Sequence, residues 1–307
     1  KYLLEGINKV ESLHEDDYKK ILTINKYADT KSAQNAQASL DQAIEKSKLA
    51  IQQHSMEIKG EEKNKLIDKN YMVIGRAQFY KHDYSQAIKT FSYLVRQSEK
   101  VSIQSEALLW ATLCHQELGN TESLRKNIIL LEEDYYLNKE QDALLDEIQA
   151  ETAILGEYYL EAKQNLLKVL NKTSDKRKKI RVHYILGQIG LLLKDADLAL
   201  KHFDAVIKKN PAYEMVFNAK LNKTKTYNID KTNYIELSAI LENMLKDSKN
   251  KEYLDQIYFT LSQMQLSKQD TIAAIQSLKN SAEKTIYNNN QKRESHYLLA
   301  QILWEQK

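Results

Sequence analysis

Small side chains return along this chain at steps of 37 and 38 residues: Gly75, Thr112, Ala150 and Gly187, then Lys225, Ser262 and Ala300, with a lysine breaking the size rule at the fifth position. Each closes an apolar run, and a second apolar run follows about a dozen residues on. The clearest copies are Ile74-Gly75 with Tyr84, Ala87 and Phe91, and Leu186-Gly187 with Ala199, Phe203 and Pro211. A period of this length holds one helix pair. A single pair cannot bury its own apolar face, so successive pairs must stack. One Pro and seven Gly in 307 residues leave little room for hairpins or glycine loops. The expected fold is all-α: a right-handed α-solenoid of stacked antiparallel helix pairs.

Residues 1–65 fit the period poorly and read as an N-terminal helical cap region. Leu3 to Leu13 and Asp17 to Ala28 are expected as short helices, and Leu40, Ala43, Ile44, Ser47, Ala50 and Ile51 mark a longer one. An exposed loop is expected near 58–65, because Ile58 is followed by seven residues without an apolar side chain. Residues 66–307 are expected to hold about six units and a truncated seventh. The first unit turns at His82-Asp83-Tyr84, the second at Leu118-Gly119-Asn120 and the third near Gly156. The fourth, from Ile180, ends at Asn210-Pro211 because proline lacks the amide hydrogen a helix needs. Units five and six are more degenerate, and Lys225 is the weakest point of the register. Tyr297, Leu298, Ile302, Leu303 and Trp304 form a first helix with no second, from which the chain is expected to be part of a longer protein.

The pattern of Ile74, Gly75, Ala87 and Phe91, repeated as Leu186, Gly187, Ala199, Phe203 and Pro211, resembles the tetratricopeptide (TPR) repeat. A period three or four residues above that family's 34 implies about one extra helical turn per unit. A narrower resemblance covers Asp16 to Leu22, Leu40 to Ser55 and Asp68 to Lys81. In that order these segments are similar to the amino-terminal region of the Bacteroidota TPR lipoproteins of type IX secretion and gliding motility, the PorW/SprE type. This resemblance implies a periplasmic protein at the outer membrane, with translocon and ring or motor components as partners. It also implies a lipid anchor outside this chain, since Cys114 falls inside an expected helix. The alternative is a generic TPR adaptor or sensor-region module of a cytoplasmic or signalling protein. The TPR likeness places groove residues at Met72, Arg76, Phe79 and Tyr80 in the first unit, Arg181, Tyr184 and Gln188 in the fourth, and Phe259 and Gln263 in the sixth. Tyr and Arg suit such positions because each combines a large contact area with a polar tip.

The residues themselves argue against catalysis and cofactors. No phosphate-binding glycine loop, dinucleotide fingerprint or His-Glu-x-x-His occurs. Cys114 and His115 are adjacent, yet neighbours on a helix point about 100° apart, and Cys114 falls in an apolar row with Trp110 and Leu113. The seven histidines, His14, His54, His82, His115, His183, His202 and His296, are scattered and read as exposed or groove-lining. Glu132-Glu133-Asp134, Asp195 and Asp197 read as solvated charge. The net charge of +3 comes from 45 basic and 42 acidic residues interspersed, so no global field draws the protein to nucleic acid. One dense basic cluster, Lys176, Arg177, Lys178 and Lys179, flanked by Lys172 and Arg181, is expected in an inter-repeat turn. It suits an acidic partner or anionic head groups, or serves only to solubilise that turn.

Overall fold

The computed structural model describes residues 1–27, 30–59 and 61–305. Ala28, Gly60 and Lys307, on which the second short helix, the loop and the chain end were placed, lie outside the described residues. The chain forms two compact units, the first made of Lys1–Asp17 and Thr23–Lys178, the second of Tyr18–Leu22 and the chain from Lys179 onward.

In the first unit α1 (Tyr2–Leu13) and α2 (Thr30–His54) pack on each other and on α3 (Ile67–Tyr80). A two-residue antiparallel ladder, β1 (Glu57–Ile58) with β2 (Glu61–Glu62), stands where a plain loop was expected. The Glu62 carboxylate explains it, accepting from the Met56 and Asn64 amides at 2.9 and 2.7 Å and so folding the segment back. Antiparallel pairs follow: α3 with α4 (Tyr84–Gln97), α5 (Val101–Glu117) with α6 (Thr121–Glu133), and α7 (Lys139–Leu155) with α8 (Tyr159–Lys172). One apolar core runs from Val10 and Leu40 through Phe79 and Phe91 to Leu109 and Ile148.

The second unit takes in α9 (Lys176–Leu192) from Lys179, then α10 (Ala196–Lys209), α11 (Tyr213–Thr224), α12 (Tyr234–Lys246), α13 (Leu254–Ser267), α14 (Thr271–Lys284) and α15 (Asn289–Glu305). Phe217, Leu221, Leu241, Ile257 and Met264 form a core there. Each unit is thus built as an α-solenoid is, from helix pairs laid against one another, and the repeat reading holds.

The register holds at its two best copies. A Cβ on Gly75 would lie 2.5 Å from the Phe91 ring, and one on Gly187 would lie 2.6 Å from the Phe203 ring, so the two glycines fill equivalent places sixteen residues before a fully buried phenylalanine. Gly190 is tighter in kind, because its Cβ would stand 2.7 Å from the backbone nitrogen of Ala199. Backbone cannot rotate aside as a ring can. Gly190→Ala gains about 1 kcal/mol in helix propensity yet is expected to lose roughly 2 kcal/mol net by overpacking. Chemical denaturation showing no loss would contradict this contact.

A feature the sequence hid is the conformation of the turn inside five of the pairs. His82, Gly119, Glu157, Lys194 and Gln269 all have φ between 56° and 66°, at steps of 37, 38, 37 and 75. In each case the next residue's amide bonds back to a carbonyl five residues earlier, from Asp83 to Gln78 at 2.9 Å through Asp270 to Gln265 at 2.9 Å. That is the Schellman closure, which glycine favours, yet only Gly119 is one. Asn120, Asp195 and Asp270 then cap the following helix, accepting from Ser123, Leu198 and Ala273. Lys194 is exposed and at φ 56°, so Lys194→Gly is expected to stabilise by about 0.5–1 kcal/mol in relief of the left-handed cost. The midpoint of a urea melt checks it.

The missing turn, between Lys194 and Gln269, belongs to the pair that carries Lys225. There α11 stops at Thr224 and Lys225–Asn228 tighten into a 3-10 turn. The helix tightens at the position where a small residue would stand, and Lys225 is half-buried there, with burial lowering its pKa.

Two expectations fail. Asp17 to Tyr27 is not helical but runs as turns and bends joined by irregular chain. The amides of Leu22 and Ile24 donate to the Gln188 and Glu151 side chains, not to carbonyls one turn back. The basic cluster does not lie in a turn; Lys176 to Lys179 open α9, whose first amides at Arg177 and Lys178 are met by the Asp175 carboxylate at 2.8 and 3.3 Å.

Candidate functional site

Non-helical backbone inside a helical protein must find other hydrogen-bond partners, and residues 18–27 find them on first helices of the pairs. In the first unit the Ile24 amide donates to Glu151 Oε1 at 2.7 Å, and the Asn25 side-chain amide donates to Glu147 Oε2 at 2.9 Å. Ile24 is 1 % exposed and Glu147 3 %. Lys178 Nζ bonds both Glu147 oxygens at 2.7 and 2.8 Å, so that buried carboxylate is paired. Tyr27 meets Phe79 and Tyr80 edge-on, with ring centroids 5.1 and 6.1 Å apart.

In the second unit the Gln188 amide contacts the backbone twice: its oxygen accepts from the Leu22 amide at 3.0 Å, and its nitrogen donates to the Lys20 carbonyl at 2.6 Å. Donor and acceptor two residues apart are what a neighbouring strand would offer. Tyr18 stands edge-on to Tyr184 at 5.4 Å, and the Tyr184 hydroxyl accepts from Asn222 at 2.8 Å.

Burial sets the electrostatics. Glu151 is pushed up to about 7, first by desolvation and then by the charges of Glu117 and Glu147, against which the Ile24 amide works. Tyr27 is raised well above the usual phenol range by burial, then by Tyr80 and the three carboxylates. Tyr80 rises to about 12 through burial, partly offset by Arg76.

The expected groove residues are placed as follows. Met72, Phe79, Tyr80, Arg181, Tyr184 and Gln188 are buried; Arg76 is half-buried, its guanidinium 4.8 Å from the Trp110 ring centroid; Phe259 and Gln263 are half-buried on α13. Phe79 and Tyr80 come together with Tyr27, and Tyr184 and Gln188 with Tyr18–Leu22. Sequence reasoning missed Glu147 and Glu151. The signal was present: Met72, Tyr184 and Phe259 stand three residues before the small position, and Arg76, Gln188 and Gln263 one after it. The same offsets from Ala150 give Glu147 and Glu151.

The scattered histidines need one correction. His183 Nδ1 and His202 Nδ1 are 2.8 Å apart, and His202 is 1 % exposed rather than exposed or groove-lining. They sit nineteen residues apart, across the α9–α10 turn, a spacing no single-helix rule detects. One ring must accept what the other donates, and burial together with Lys201, Lys209 and Lys179 lowers the His183 pKa. Cys114 is buried and its thiol is pushed up to about 12, chiefly by burial. Two cations of the basic cluster region are committed within the chain, Lys178 to Glu147 and Lys172 to Asp142 and Asp146 at 2.7 and 2.6 Å. Among the described residues no three His, Cys, Asp or Glu are grouped to hold a metal ion.

No family model matches the chain, and no curated protein does. Among solved structures it is similar to a tetratricopeptide repeat protein from Parabacteroides merdae, at 16% identity over 89% of this chain and 96% of that one, with a TM-score of 0.41. It is also similar to yeast Tom70, at 15% identity over 99% and 80%, with a TM-score of 0.34. The helix-pair assignment stands on the packing of Gly75 on Phe91 and Gly187 on Phe203.

Proposed function

We propose that this chain is a noncatalytic scaffold that holds protein segments on the first-helix faces of its repeat pairs. The observation that supports it most is Gln188, whose one amide both donates to and accepts from a non-helical backbone. Faces that seat an extended segment by its main chain accept many sequences and add specificity through neighbouring side chains. The complex to which we assign it is the type IX secretion and gliding-motility machinery, at the periplasmic side of the outer membrane. This rests on the order of the three segments Asp16–Leu22, Leu40–Ser55 and Asp68–Lys81. Translocon and ring or motor components are then the partners, and the lipid anchor lies outside this chain.

The test is recovery of a tagged chain from envelope membranes, read by mass spectrometry beside an Arg76→Glu variant that keeps its helical circular dichroism. Translocon and ring or motor components are expected with the unaltered chain and reduced at least five-fold with the variant. Recovery of soluble cytoplasmic proteins alone overturns the envelope placement. Undiminished recovery moves the docking site away from α3.

A further inference from the structure

The first-helix face of the first unit is occupied by the chain's own Thr23–Tyr27, and its chemistry is one-sided. Glu147 and Glu151 are buried there, and Glu117, exposed beside them, adds its charge to Glu151. Against these carboxylates Lys178 is the cation bonded to Glu147. What the segment brings to Glu147 and Glu151 is neutral: the Ile24 amide and the Asn25 side-chain amide. A neutral donor offsets only part of the cost of keeping a carboxylate from water, and a cation with hydrogen bonds offsets more.

The segment is also not what holds together the helices on either side of it. It lies between α1 and α2, which pack on each other independently of it; a Cβ on Gly6 would lie 2.5 Å from Leu40, so the two helices meet closely. Lifting residues 23–27 leaves that hairpin in place.

We propose that Thr23–Tyr27 is a resident competitor on this face, and that the partner it holds off is an extended basic peptide whose lysine or arginine, in the place of the Asn25 side chain, answers Glu147 and the neighbouring Glu151 and Glu117. The inference rests on the docking function proposed above and names its ligand class. The peptide's backbone takes over the Ile24 bond to Glu151, an aromatic residue replaces Tyr27 against Phe79 and Tyr80, and the added cation supplies what Asn25 lacks. Acidic peptides are excluded by the same three carboxylates.

The experiment uses the full chain and three fluorescein-labelled octapeptides: a copy of residues 20–27, the same peptide with arginine at the Asn25 position, and one with glutamate there. Each is titrated by anisotropy onto the unaltered chain and onto a variant with residues 23–27 replaced by Gly and Ser. The arginine peptide is expected to bind the variant at least ten-fold tighter than the unaltered chain. It is also expected to bind that variant at least five-fold tighter than the copy, with the glutamate peptide weakest. Adding Glu151→Gln to the variant is expected to remove most of the arginine preference. Equal affinity for both proteins, or no preference for arginine, overturns the proposal. If the variant does not fold, hydrogen exchange at Ile24 in the unaltered chain decides: acceleration at saturating arginine peptide supports displacement, and unchanged protection refutes it. Envelope partners captured equally by both proteins would leave the docking function standing and the resident competitor refuted.

Discussion

Phe203→Ala is expected to cost about 3–5 kcal/mol, the range for emptying a fully buried aromatic site, and Phe91→Ala the same. Both rings are 0 % exposed and each presses on the glycine sixteen residues before it. The pairing makes a sharper demand than either loss alone. Gly187→Ala in the unaltered protein puts a Cβ 2.6 Å from the Phe203 ring and is expected to cost roughly 1–3 kcal/mol. In the Phe203→Ala background the ring is gone, the methyl has room, and alanine is the better helix former. There Gly187→Ala is expected to be neutral or to stabilise by up to about 1 kcal/mol. A double-mutant cycle from urea melts therefore returns a coupling of roughly 2 kcal/mol. Additive losses would mean that the two residues do not share a contact, and the repeat register would fall with them.

The second large effect is a pH dependence carried by Glu151. Its carboxyl stands at about 7 in the folded chain against 4.5 for the free group. The folded state therefore holds the proton more tightly than the unfolded state between those values. Stability from this group is complete below about 4.5, is lost as pH rises through 7, and changes no further above it. The span corresponds to something on the order of 3 kcal/mol. Glutamine keeps an oxygen for the Ile24 amide and never ionises. Glu151→Gln is thus expected to match the unaltered chain near pH 5 and to exceed it by up to that amount near pH 8. Urea melts at the two pH values give the difference, and a constant offset would show that Glu151 is not the group responsible. An effect on this carboxyl also reports on Thr23–Tyr27, because the backbone amides of Ile24 and Asn25 restrain the shift.

How much of this was readable beforehand differs by element. The pairs from α3 to α10 follow from apolar spacing closed by a small residue, since a contact inside one pair is a local matter of sixteen residues. Lys225 marked the failing pair for the same reason. The left-handed conformation of the closing turns was hidden because four of the five residues that adopt it are His, Glu, Lys and Gln, where the backbone bonds outweigh side-chain preference, helped after Lys194 and Gln269 by an aspartate that caps the next helix. Asp17–Tyr27 misled in the opposite direction. Tyr18, Ile21 and Leu22 have helical spacing, yet the carboxylate and amide that decide their conformation lie more than a hundred residues away at Glu151 and Gln188.

By itself, then, the order of residues determined that the chain is helical, that its helices pair, and where the first three pairs close, because those outcomes depend on periodicity and on volume within a few turns. Only the tertiary structure decided that a stretch of helical spacing near the start would leave the helix to meet buried carboxylates, and that His183 would meet His202. Each of those depends on which distant polar group is left needing a partner once the helices have packed. A buried donor or acceptor without a partner costs more than a local helical preference gains.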